Sequence, residues 1–274
     1  MSPVKGGLDC ALRAALITAD ATDKVLLDLI RAPRDAITKA DGSPLTRADL
    51  AVEDTVYREL SRHTPGAAVF GEESSRRESL RALLTGEVDG WIVDPIDHTR
   101  HFIRGDPEFG TLLAYVREGR PVVAVISAPS LGIRGWAQLD GGTYINGALV
   151  HVSNRSELER SEVAFAGFAE WTASKPNRNL QAVLERSCYP HGTRGGFLQH
   201  LRVAQGLVDV AIEPWGEAWD LLPGALIVTE AGGRASALDG GRSGVASDGG
   251  FVVSNGIVHD KVLALLSGDM DYGR

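Results

Sequence analysis

The sequence predicts an α+β protein built in layers, and three observations carry that prediction. Strand-like and helix-like segments come in groups and do not alternate strictly along the chain. The 274 residues, 43% hydrophobic and 23% charged, suffice for one large core or two intimately packed halves. Several short apolar runs end in acidic residues.

Leu8, Leu12, Ala15, Leu16, Val25, Leu26, Leu29 and Ile30 recur at helical spacing, predicting a helix over residues 8–31 that Pro33 closes. A second helix starts at Thr46, a suitable N-cap, and runs through Leu50, Val56 and Leu60. Strands are predicted over 67–70, 91–93, 111–116 and 122–126, and Asn146-Gly147 reads as a turn. The second half predicts helices over 179–186, 197–205, 219–230 and 259–266, with strands over 208–212 and 251–253. Gly232-Gly233 stops the third of those helices. The boundary between halves is expected near 150, giving an N-terminal α+β half, 1–150, and a C-terminal α/β half, 151–274. Trp91 and Trp136 are expected in the core, and His63, His151, His191 and His259 at the surface.

Charge and composition exclude several classes. With 36 acidic against 28 basic residues and a net charge of −8, no basic stripe exists for a nucleic-acid polymer. No run of 18 apolar residues occurs, and residues 1–5 lack the apolar core of a signal peptide, so a cytoplasmic location is expected. Cys10 and Cys188 cannot build a disulfide framework or a cysteine-based zinc site.

The acidic strand ends are the informative feature. Residues 67–70 lead into Gly71-Glu72-Glu73, residues 91–93 into Asp94-Pro95-Ile96-Asp97, and Trp219-Asp220 opens an apolar helix. Clustered carboxylates repel, and an oxygen-seeking divalent cation is the usual compensation. Each piece also has a plain reading: a solvated helix turn for Glu72 and Glu73, a turn opener for Asp94-Pro95, and an N-cap for Asp220.

Taken together, Gly71-Glu72-Glu73, Asp94-Pro95-Ile96-Asp97-His98-Thr99 and Trp219-Asp220-Leu221-Leu222-Pro223-Gly224 resemble the three motifs of the inositol monophosphatase superfamily, which are lithium-sensitive, Mg²⁺-dependent phosphatases. The stretches Lys39 to Asp49 and Glu230-Ala231-Gly232-Gly233 extend the likeness to residues 8–266. The resemblance implies a layered αβαβα sandwich, a homodimer, and a small phosphate monoester hydrolysed by metal-activated water. The N-terminal half would then carry the metal site and the C-terminal half complete the active site. By the same resemblance, Glu72, Asp94 and the Ile96 carbonyl would hold one Mg²⁺, and Asp94, Asp97 and Asp220 a second. A third, weaker ion is often seen in the family near Glu72. Thr99, hydrogen-bonded to Asp49, would help Glu72 deprotonate the attacking water, and backbone amides near His98 and Thr99 would receive the phosphate. Thr99 also reads as a plain helix cap.

The run Thr99-Arg100-His101-Phe102-Ile103-Arg104-Gly105-Asp106-Pro107 resembles the histidinol-phosphate phosphatase branch. Two departures stand out: His98 replaces a Gly, and Gly196, in Arg194-Gly195-Gly196-Phe197, replaces an Asp suited to a cationic amine. His98 either contacts substrate or points to solvent. Small residues at 195 and 196 are expected to leave room for a bulkier group, such as a nucleoside 5′-phosphate of a secondary-metabolite pathway. Inositol 1-phosphate is a further candidate ester. Glu213 stands where relatives contact substrate, its alternative being a solvated strand cap, and Arg194 and His200 are further candidates. The different-class alternative is a catalytically weak phosphate-binding protein on the same fold.

Overall fold

The computed structural model describes residues 3–40, 42–75, 77–167, 177–193, 195–241 and 250–268. The first layer holds two helices, α1 (Pro3–Leu29) and α2 (Arg47–His63), joined through a hairpin of β1 (Ala36–Thr38) and β2 (Pro44–Thr46). Thr46 caps α2 as expected: its hydroxyl accepts from Ala48 N and Asp49 N, while Asp49 accepts from Thr46 N. The apolar stripe Leu8, Ala11, Ala15, Ala19 and Leu26 packs with Val52, Val56 and Leu60.

The second layer is a seven-stranded sheet. Its strands run in chain order: β3 (Ala68–Gly71), β4 (Gly90–Asp97), β5 (Gly110–Arg117), β6 (Arg120–Ala128), β7 (Ile133–Gln138), β8 (Gly142–Ile145) and β9 (Ala148–Val150). Only the β3–β4 pair is parallel. Period-two alternation decides its faces: Trp91, Val93, Leu113, Val123 and Val125 pack on the first layer. Ile92, Leu112, Ala114, Ala124 and Ile126 face the other way. Both faces are buried, which explains the unbroken apolar runs.

The middle helices, α6 (Phe197–Ala204) and α7 (Ala218–Glu230), share one core with that second face and with Ala164, Ala211, Phe251 and Val253 of the next sheet. This five-stranded sheet has the order β11-β10-β12-β14-β13, formed by β10 (Glu162–Phe165), β11 (Tyr189–Gly192), β12 (Val210–Glu213), β13 (Arg234–Ala237) and β14 (Phe251–Ser254). Its outer face carries α5 (Asn177–Arg186) and α8 (His259–Ser267), packed through Leu180, Val183, Val262 and Leu265. The fold is thus a layered α+β sandwich.

Sequence periodicity misses α3 (Arg77–Leu84) and the six-residue α4 (Thr99–Arg104), the strands β1, β2, β7, β10 and β13, and β11, whose Pro190 suits only the edge it occupies. Trp91 is fully buried as expected, and Trp136 partly so.

One expectation is corrected: His259 is buried, not superficial. Its ring lies 2.8 Å from the hydroxyls of both Ser236 and Ser254. Burial, with the Arg234 charge adding, pushes its pKa down to about 4 from 6.5. A native state that refuses a proton the unfolded chain accepts is fully stabilised above pH 6.5 and loses that contribution as pH falls toward 4. His259→Asn should therefore flatten the fall in unfolding free energy across that window, measured by urea titration at several pH values; an unaltered slope would contradict this.

Candidate active site

The end of β4 brings its two aspartates together. In a regular strand, residues 94 and 97 point to opposite faces. Here Asp94 pairs with Leu112 and Asp97 with Gly110, so β4 advances three residues while β5 advances two. That irregularity, at Pro95 where no N–H is available for the ladder, restores both carboxylates to one side. Thr111 Oγ1 secures the kink by donating to the Pro95 carbonyl at 2.9 Å. Asp220 arrives from the first turn of α7, where Glu217 N donates to its Oδ2 at 2.9 Å.

Oxygens of Asp94, Asp97 and Asp220 all lie within 4.8 Å of one another. Asp94 is 2% exposed, and its Oδ1 has no hydrogen-bond partner among the described residues. Burial holds the Asp94 carboxyl well above its usual range, and the charges of Glu72, Asp97 and Asp220 push the same way. Asp220 is raised by burial first and by Asp97 second. An orphaned buried oxygen in an all-carboxylate cluster fits a hard divalent cation, which accepts only oxygens and cancels the repulsion.

Glu72 follows β3, fixed by its N–H donating to the Val93 carbonyl at 3.1 Å. Its carboxyl is raised by burial, which outweighs the lowering by Lys39. Lys39 Nζ, from the β1–β2 turn, reaches Glu72 Oε1 at 2.7 Å and Glu73 Oε1 at 2.8 Å. Behind them Glu53 accepts from Glu73 N at 3.0 Å, and any side chain at Gly71 would overlap that carboxylate. Asp49 Oδ1 receives the Thr99 hydroxyl at 3.3 Å, while Thr99 Oγ1 is also 3.0 Å from the Ile96 carbonyl. Sequence reading assigns Lys39 no role beyond its place in a matching stretch, and Glu53 none at all. For Glu53 a signal existed: two acids four residues apart, Asp49 and Glu53, on a helix face shared with Val52 and Val56.

The C-terminal half lines the other side. Phe197 N donates to Asp97 Oδ2 at 3.3 Å, tying α6 to the cluster. Glu213 is 7% exposed, not a solvated cap: its Oε1 accepts from Gly196 N at 3.1 Å and lies 2.9 Å from His200 Nε2. Gly195 sits beside that carboxylate and borders an open cavity of about 420 Å³ shared with Glu108, Thr193 and Gln199. The expected room at Gly196 is not there: the space a side chain would take is filled by the His98 imidazole. Arg194 and the Asp41 of the early motif lie outside the described residues. Cys10 and Cys188 are free and exposed. No described helix is long and apolar enough to cross a membrane.

Comparison with known proteins places this geometry in context. Residues 8–270 match the inositol monophosphatase family. The histidinol-phosphatase of Mycobacterium tuberculosis is 38% identical over 269 residues, covering 93% of this chain and 97% of that protein. The Streptomyces coelicolor histidinol-phosphatase is 37% identical over 268 residues, covering 93% and 96%. Among solved structures, an inositol monophosphatase from Zymomonas mobilis is 26% identical with a TM-score of 0.78, covering 97% of this chain and 100% of that one. The suhB extragenic suppressor protein of Bartonella henselae, 23% identical, shares the fold with a TM-score of 0.81, covering 95% and 99%.

Proposed function

The chain belongs to the inositol monophosphatase family and is a phosphoric monoester hydrolase, and we propose that it hydrolyses histidinol phosphate or a closely similar amino- or hydroxyl-bearing ester with Mg²⁺. The observation that carries this reading is the trio Asp94, Asp97 and Asp220, in which Asp94 is buried and one of its oxygens is orphaned. The histidinol-phosphatases that match most of the chain support the choice of ester. Glu72, Asp94 and the Ile96 carbonyl would hold one ion, and Asp94, Asp97 and Asp220 another. When bound, such ions neutralise phosphoryl oxygens and acidify water.

The chain's own groups supply the rest. The Thr99 hydroxyl hydrogen is committed to Asp49 or the Ile96 carbonyl, so its lone pairs are left to accept from the attacking water. Glu72, held at one oxygen by Lys39, takes the water's proton. The amides of Thr99 and its neighbours receive the phosphate, and the alcohol portion extends toward Gly195 and the adjoining cavity. We also propose two intimately packed halves, 1–150 and 151–274, and a homodimer. A cytoplasmic setting is consistent with two free exposed thiols.

A second reading has its own support: without a carboxylate at 196, a different alcohol, such as that of a nucleoside 5′-phosphate, is a candidate. Phosphate release from histidinol phosphate, inositol 1-phosphate, nucleoside 5′- and 3′-phosphates and sugar phosphates separates the two. Histidinol phosphate should lead in kcat/KM by about tenfold or more. A flat profile, or a lead for another ester, overturns the choice of substrate. Release from none by folded protein favours the phosphate-binding alternative.

A further inference from the structure

His98 stands in a conformation that a histidine enters at a cost. Its backbone is left-handed, with φ 67° and ψ 45°, at the N-cap of α4, where it makes no side-chain capping bond. Glycine would hold this position without strain. A strained residue beside a reacting centre points to a function for its side chain.

The imidazole is not loose. Nδ1 lies 3.1 Å from the Glu108 carbonyl, which only accepts, so Nδ1 carries the hydrogen and the neutral ring keeps its lone pair on Nε2. The ring packs against His101 and Phe197, with centroids 4.6 and 5.7 Å away. Nε2 has no hydrogen-bond partner among the described residues.

Across the cleft, Gly196 has φ 71° and ψ −167°, a region nearly closed to other residues. A Cβ there would overlap His98 Nε2 and come within 2.9 Å of Asp97 Oδ2. The two departures noted in the sequence are therefore one arrangement: the imidazole from residue 98 fills the place of a side chain at residue 196. Its neighbours Glu108 and Gly195 line the cavity into which the ester's alcohol extends.

We infer that His98 is the specificity-determining residue of this site, its Nε2 accepting a hydrogen bond from a hydroxyl or ammonium group on the alcohol portion of the ester. This rests on the phosphatase reading. The imidazole takes over, from a different strand end, the acceptor role that a carboxylate at 196 would perform, and it restores a return for the strain at 98.

The test compares histidinol phosphate, which carries donors, with p-nitrophenyl phosphate, whose alcohol has none. His98→Gly should lower kcat/KM about tenfold more on the former than on the latter, without lowering Tm. His98→Phe, which keeps bulk but not Nε2, should show the same selectivity loss. Equal losses on both esters, no loss, or recovery of selectivity in His98→Phe would overturn the role. If the folded wild type with Mg²⁺ hydrolyses neither ester, the phosphatase reading fails and the ester-reading role with it. The pairing is read independently from Tm: Gly196→Ala should lower Tm more beside His98 than in the His98→Gly background. Equal losses overturn the pairing.

Discussion

Asp94→Asn should abolish turnover while raising the melting temperature of the metal-free protein. The carboxylate is buried, one oxygen lacks a partner, and Glu72, Asp97 and Asp220 all press against its charge. Removing that charge relieves repulsion in the empty cluster, so stability in EDTA rises. The same change removes the group proposed to serve both cations, and kcat should fall by about 10³-fold or more, the scale of losing transition-state electrostatics. Phosphate release at saturating Mg²⁺ and melting in EDTA check the two halves. Activity within tenfold of wild type would refute the bridging role.

Gly224→Ala should destabilise the protein, against the sign that helix propensity gives. Position 224 lies inside α7, where alanine is favoured over glycine by about 1 kcal/mol. A Cβ there would overlap the ring of His200, which is fully buried and paired to Glu213 at 2.9 Å. Overpacking and the disturbed buried pair together should cost about 2–4 kcal/mol, seen as a lower denaturation midpoint. Glu213 would also release Gly196 N, so KM should rise for substrates that use this wall. A gain in stability would show that α7 and His200 are not in contact as described.

What was legible in the sequence was whatever is local. Asp94, Asp97 and Asp220 announce themselves because each sits at the end of an apolar segment, and Thr46 because a cap and its helix are contiguous. The helices with long apolar stripes and the strands β3 to β6 of the buried sheet are likewise written in spacing. What was not legible depends on pairs brought together by topology. The bulge that puts Asp94 and Asp97 on one side exists only in register with β5. For Glu213 the alternative of a solvated cap stayed open because nothing near it in sequence discloses His200 across from it. His259 looked superficial because its two serine partners lie on β13 and β14. Gly196 looked like open space because its filler, His98, comes from the other sheet.

That last case alters how the departures from the histidinol-phosphatase pattern are weighed. Read singly, the histidine by the phosphate leaves its contact open and the missing aspartate argues for a different ester. Read as neighbours, they describe one wall rebuilt with a different acceptor, compatible with an ester that still carries a donor.

The most direct test of the cation-dependent phosphatase assignment is phosphate release from histidinol phosphate by folded wild-type protein, followed across Mg²⁺ concentration and after chelation with EDTA. A saturable rise from a negligible baseline, reversed by EDTA and absent in Asp94→Asn, is the expected result. Release that persists undiminished in EDTA, or none at millimolar Mg²⁺ from protein shown to be folded, would contradict it.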